Sequence, residues 1–77
     1  MIARQVTAAL REAAEKQVGR DATPAVCEFI KFDFLRIMQD KFQTDWSADA
    51  SHISVSFRPD GMPDVTIPPR LLHRTFH

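Results

Sequence analysis

The residue types that most often do chemistry are thinly spread in this chain, which has one cysteine and three histidines among its 77 residues. Cys27 is expected in the first turns of a helix, where the positive end of the helix dipole can lower a thiol pKa. Its position also falls on the apolar face of that helix, with no histidine near it in the sequence. We therefore predict that Cys27 fills the core and is not a nucleophile.

The histidine spacing raises the question of a metal site. His73 and His77 are four residues apart, the separation at which two imidazoles on one helix can bind one ion. His52 or Cys27 would have to complete the site, and the chain has no CxxC or HExxH motif. A solvated terminus accounts for the same histidines, so we expect no metal and no other cofactor.

Two pairs of carboxylates, Asp60 with Asp64 and Asp45 with Asp49, have spacings that would suit acid/base chemistry. General acid/base catalysis needs a cleft and a perturbed pKa, and so short a chain is expected to have little room for a pocket of about 300 Å³. Turn and linker roles account for these residues, and the chain has no glycine-rich phosphate loop. We predict that the protein is not an enzyme, and a small enzyme ranks third among the hypotheses.

Two phenylalanines are the more informative feature. Helical phase places Phe29 and Phe32 on the charged side of a predicted helix, with Arg36 one turn further along. The rings then form a compact apolar patch. Either a β-hairpin of the same chain folds over this patch, or the patch binds another protein.

The elements that position these residues begin with a helix over Ile2 to Val18, closed by Gly19. Its predicted inner face is rich in alanine and comprises Ile2, Val6, Ala9, Leu10 and Ala13. Because alanine is small, this helix is expected to pack closely on its neighbour.

Thr23 and Pro24 predict the start of a second helix, with a capping hydroxyl followed by proline in the first turn. The helix is expected to run to Phe42. An alternative makes residues 28–34 a strand, but the alternation stops at Leu35, which favours the helix. The predicted inner face consists of Val26, Cys27, Ile30, Phe34, Leu35, Ile37, Met38 and Phe42.

A β-hairpin is predicted around Pro59-Asp60-Gly61, which suits a three-residue loop with a bulge. Pairing Arg58 with Met62 fixes the register and places every apolar partner on one face. The expected pairs are Phe57 with Pro63, Ser56 with Asp64, Val55 with Val65, Ser54 with Thr66 and Ile53 with Ile67. Proline in the second strand indicates an edge strand.

Residues 45–51 are expected to form a linker that Trp46 anchors. The tail over residues 70–77 has a pattern that predicts two helical turns. The tail would place Arg70, His73, Arg74 and His77 on one side. The chain therefore predicts one α+β domain over residues 1–77, ordered α-α-β-β-(α).

The composition of the chain makes some classes of function less favourable. The net charge is zero, which removes a global attraction to nucleic acid or anionic membranes, and no apolar run exceeds three residues, so we expect no membrane span. A single cysteine favours a reducing compartment, and we expect a cytoplasmic protein.

The leading hypothesis is a non-enzymatic protein-binding or regulatory module that forms a homodimer, with Phe29, Phe32, Arg36 and the edge of the hairpin in contact with the partner. The alternative is a nucleic-acid-binding protein that uses a β wing and a basic C-terminal face. Its phosphate contacts would be Arg58, Arg70, His73, Arg74 and His77.

Overall fold

The computed structural model describes residues 2–75. The elements confirm the predicted α+β order and are the helices α1 (Ile2–Glu15) and α2 (Pro24–Phe42), a 3₁₀ helix (Ser47–His52), the strands β1 (Ser54–Phe57) and β2 (Pro63–Thr66), and the helix α3 (Pro69–Thr75). Helix α1 packs along α2, β1 lies against α2, and β2 lies against α1.

Helix α2 is the central element, and its ends follow from the sequence. The Thr23 hydroxyl accepts a hydrogen bond from the Val26 N–H at 3.2 Å, and Pro24 occupies the first turn. At the other end Gln43 adopts a left-handed conformation (φ 51°), and its N–H donates to the Met38 carbonyl. The predicted helix is confirmed, and the strand alternative is wrong.

Helix α1 ends at Glu15, three residues before the predicted Val18. The chain continues as turns to Gly19, which has a φ of 86°. The backbone bonds there join Gln17 to Ala14 and Val18 to Glu15, so the last turn tightens to i→i−3 spacing. Val18 is 80% exposed, so no burial holds it in the helix.

The core lies between the two long helices and the hairpin. Ala9 and Ala13 have no exposed surface, which confirms the alanine stripe as the packing face of α1. The buried apolar residues are Ala9, Ala13, Val26, Ile30, Phe34, Leu35, Ile37, Met38, Trp46, Ile53, Val55 and Leu71. At the surface, Lys41 Nζ lies 2.8 Å from Glu12 Oε1 and joins the helices, and this hydrogen bond lowers the pKa of Glu12.

Trp46 anchors the segment after α2, as predicted. It is 2% exposed, and its ring centroid lies 6.5 Å from that of Phe34. Where the sequence predicted an irregular linker, the chain forms the 3₁₀ helix. Asp45 precedes it, and one carboxylate oxygen accepts from both the N–H and the hydroxyl of Ser47, at 2.9 and 2.6 Å.

The hairpin has the predicted register: Ser54 pairs with Thr66, Val55 with Val65, Ser56 with Asp64 and Phe57 with Pro63. The Gly61 N–H donates to the Arg58 carbonyl at 2.9 Å, and the Arg58 N–H donates to the Met62 carbonyl at 2.8 Å. Gly61 has a φ of 85°, as the bulged loop requires. The ladder stops one pair short of the predicted Ile53–Ile67 pair.

The outer edge of β2 offers few backbone donors. Because Arg58 and Met62 form a hydrogen-bonded pair, the alternation of the ladder turns the backbone polar groups of Pro63 and Val65 away from β1. Pro63 has no N–H, and the Val65 N–H donates to the Asp64 carboxylate at 3.0 Å.

The predicted C-terminal helix is α3. Leu71 is 1% exposed and joins the core, while Leu72 is half-buried and His73 is exposed. Phe76 and His77 lie outside the described residues.

Candidate functional site

The outward face of α2 carries the largest exposed rings of the described chain. Phe29 is 47% exposed and Phe32 is 60% exposed, whereas Phe34 on the inward face has no exposed surface. The hairpin packs its apolar face on the core and leaves both outer rings uncovered. The alternative in which the hairpin folds over Phe29 and Phe32 is therefore wrong.

Charged groups of both signs surround the two rings. The guanidinium carbon of Arg20 lies 5.7 Å from the centroid of the Phe29 ring, a cation–π distance. Arg36 Nη2 lies 3.1 Å from Asp33 Oδ1, and Lys16 Nζ lies 4.0 Å from the same oxygen. The Arg36 side chain remains 57% exposed, so its guanidinium is oriented by Asp33 and still open to a partner.

A regular row of residues runs along this face, and the sequence analysis did not identify it. Its members are separated by alternating steps of four and three residues, and all are exposed. We call this row the outer seam, and it consists of Ala25, Phe29, Phe32, Arg36 and Gln39. The spacing is present in the sequence, but the buried side of α2 has the stronger apolar pattern, and Arg36 and Gln39 interrupt the apolar character of the seam.

The proposed nucleic-acid contacts have acidic neighbours. Arg58 Nη2 lies 3.3 Å from Asp60 Oδ2, and Arg70 Nη2 lies 3.7 Å from Asp49 Oδ1. Each ion pair reduces the positive potential that a phosphate would meet. His73 is exposed on α3. The side chain of Arg74 and the whole of His77 lie outside the described part of the chain.

Within residues 2–75, no three histidine, cysteine or acidic side chains are grouped so that they could hold a metal ion. Cys27 is half-buried on α2 and is not among the buried core residues, contrary to the prediction that it fills the core. His77, one member of the predicted histidine pair, is outside the described residues, so that pair stays a hypothesis without a structural counterpart.

These carboxylates form hydrogen bonds with nearby backbone groups. Asp60 accepts from the Met62 N–H at 3.0 Å and Asp64 from the Val65 N–H at 3.0 Å. The hydroxyl and N–H of Ser47 lower the pKa of Asp45. A general acid at neutral pH needs a raised pKa, so the shift at Asp45 is in the opposite direction.

A groove of about 610 Å³ lies between α1, the hairpin and α3, contrary to the expectation that so small a domain has little room for one. The groove was not predicted because its volume depends on how three separate elements pack, and the sequence pattern does not specify that packing. The groove is open, and its apolar lining includes Val6, Leu10, Val65, Ile67 and Leu72. Asp64 also lines it, but Asp60 does not, so the groove does not bring the two carboxylates together.

Comparisons with protein-family models, with curated proteins and with solved structures find no match to this chain. None of the helices within residues 2–75 is both long enough and apolar enough to cross a membrane.

Proposed function

We propose that this chain is a small non-enzymatic protein-binding module that acts as a homodimer in the cytoplasm, with Phe29, Phe32 and Arg36 at the contact surface. The observation that carries the proposal is the exposure of two adjacent rings, 47% at Phe29 and 60% at Phe32, on a helix whose opposite side is buried. Large apolar groups that the fold leaves in water favour association, because burial removes that surface from water.

The exposed area of the two rings shows how large a part of the interface they can form. A phenylalanine side chain can bury roughly 150–250 Å², so the exposed parts of the two rings amount to about 200 Å² in each copy. Specific interfaces bury about 1,200 Å² or more in total, so the neighbouring residues of α2 must contribute as well. This balance favours a dimer of modest affinity.

Charge favours a second copy as the partner. The rim of the surface carries the cations Arg20 and Arg36 and the acids Glu28 and Asp33. A surface with both signs can meet its own copy with opposite charges in contact. The zero net charge of the chain adds little long-range repulsion between copies.

The test is the combined substitution of Phe29→Asp and Phe32→Asp. Sedimentation equilibrium should give a mass of twice 8.8 kDa for the wild type and a single chain for the variant. The variant should keep its helical circular dichroism, because neither ring belongs to the core. The single change Phe32→Ala should weaken the dimer by about 2 kcal/mol, as expected of a central aromatic contact.

A matched control places the same two charges elsewhere. Ala3→Asp with Thr7→Asp adds them to exposed positions of α1 that line the groove. This control should remain dimeric. Loss of the dimer in the control alone would identify the groove as the interface and contradict the proposal. A wild type that stays monomeric at high concentration, or unfolding of the Phe29→Asp/Phe32→Asp variant, would also contradict it.

A further inference from the structure

We propose that two copies pair through antiparallel α2 helices, with the two phenylalanines of one outer seam interleaved with those of the other. This inference rests on the proposed homodimer and specifies its geometry. In the proposed register Phe29 lies beside Phe32 of the partner subunit, and the two-fold symmetry creates the same contact twice.

The spacing of the outer seam indicates a helix as the partner. Steps of four and three residues average 3.5, which is the repeat that keeps a row of side chains facing a second helix in a coiled coil. The seam runs from Ala25 to Gln39, and α2 spans 19 residues, so the row covers most of the helix. All five members are exposed, so no other element of the described chain covers the row.

Charge decides between the two directions of pairing. A parallel pair would place each seam residue beside its own copy, and Arg36 would meet the partner's Arg36 within the interface. Bringing two like charges together while removing them from water is unfavourable. An antiparallel pair separates the two guanidinium groups toward opposite ends of the contact.

The antiparallel register also gives Arg36 a suitable environment. With the rings interleaved, Arg36 lies beside Ala25 of the partner subunit, whose small side chain leaves room for the aliphatic part of the arginine. Glu28 of the partner subunit is three residues further along the helix, on the side of α2 next to the seam. Its carboxylate is then within reach of the guanidinium.

Disulfide trapping tests this arrangement in the full chain. The background variant Cys27→Ala removes the native thiol, and Ala25→Cys and Arg36→Cys are then introduced separately. After mixing and mild oxidation, the disulfide should join position 25 of one chain to position 36 of the other, a product whose mass identifies it. In the proposed register, position 25 of one chain is offset from position 25 of the other by eleven residues, which is about 16 Å along the helix axis at 1.5 Å per residue, and the same holds for position 36. A disulfide needs Cα atoms within about 7 Å, so neither variant should cross-link alone.

Three results would separate the geometry from the proposed function. Self-linked disulfides at positions 25 and 36 would show a parallel pair and overturn the register while leaving the homodimer in place. A dimer that forms no disulfide between positions 25 and 36 would also overturn the register, for example in favour of a pairing shifted by one heptad. A wild-type chain that is monomeric would overturn the homodimer itself. Ser56→Cys, on the exposed face of the hairpin, serves as the control and should not cross-link.

Discussion

Three phenylalanines of one helix show how position decides the role of a residue. Phe29, Phe32 and Phe34 lie within six positions of α2, yet their exposed fractions are 47%, 60% and 0%. At about 100° per residue, Phe34 points to the core and the other two point away from it. Helical phase and the capped start at Thr23 were sufficient to predict the direction of each ring, but the sequence left open whether the hairpin covers the two outer rings.

The same truncation should therefore have unequal effects on folding. We expect Phe34→Ala to lower the free energy of unfolding by about 3–5 kcal/mol, because it leaves a cavity next to Trp46. Phe32→Ala should cost less than about 1 kcal/mol, as exposed positions do. Urea unfolding measures both, in a Phe29→Asp background so that association does not contribute. Equal losses would mean that Phe32 belongs to the core, and Phe34→Leu supplies a milder comparison if Phe34→Ala does not fold.

Single elements differ in how far local sequence determines them. The register of the hairpin was predicted correctly, since its turn chemistry and its apolar alternation specify the same pairing, although the ladder is one pair shorter than expected. The 3₁₀ helix at Ser47–His52 was missed, because it follows Trp46, whose burial against Phe34 is a contact between segments. The early end of α1 at Glu15 was missed for a related reason, since tightening of the last turn carries no composition signal.

The hairpin loop offers a test at the scale of an element. Gly61 has a φ of 85°, and a Cβ added there would meet no atom within 4 Å. Any cost of substitution is therefore conformational. We expect Gly61→Ala to destabilise the protein by about 1–2 kcal/mol, and Gly61→Asn by less, because asparagine tolerates the left-handed conformation. Urea unfolding of the two variants checks the order, and equal stability of Gly61→Ala and wild type would contradict the bulged loop.

At the scale of the whole molecule, two surface features were not predicted, namely the outer seam and the groove. The outer seam was hidden because its two phenylalanines lie among charged residues and because Arg36 and Gln39 are polar. The groove was hidden because α1, the hairpin and α3 form it together. The predicted order of elements was correct, but the surfaces they leave uncovered depend on packing.

The distribution of charge over the molecule leads to a prediction about the nucleic-acid alternative. The acids beside Arg58 and Arg70 and the zero net charge predict no salt-sensitive binding to mixed DNA or RNA at low ionic strength. Fluorescence anisotropy provides the measurement. The variant Asp49→Asn with Asp60→Asn removes the acids beside Arg58 and Arg70 and raises the net charge by two. It shows whether these arginines bind nucleic acid once their ion pairs are gone. Binding by the wild type that weakens steeply with salt, and is lost on changing Arg58, Arg70 and Arg74 to alanine, would favour the alternative.

The outer edge of β2, which has few free backbone donors, limits the addition of further chains to the sheet. A free strand edge is a template on which further chains can add without limit, as in fibrils, and a protein of zero net charge has little long-range repulsion to slow that growth. Pro63 and the Asp64 carboxylate remove donors from this edge, and so act as gatekeepers against aggregation. The proposed pairing through α2 would instead close on itself after two chains. We expect Pro63→Val with Asp64→Val, which frees this edge, to form amyloid-like fibrils that thioflavin T fluorescence detects, while the wild type forms none.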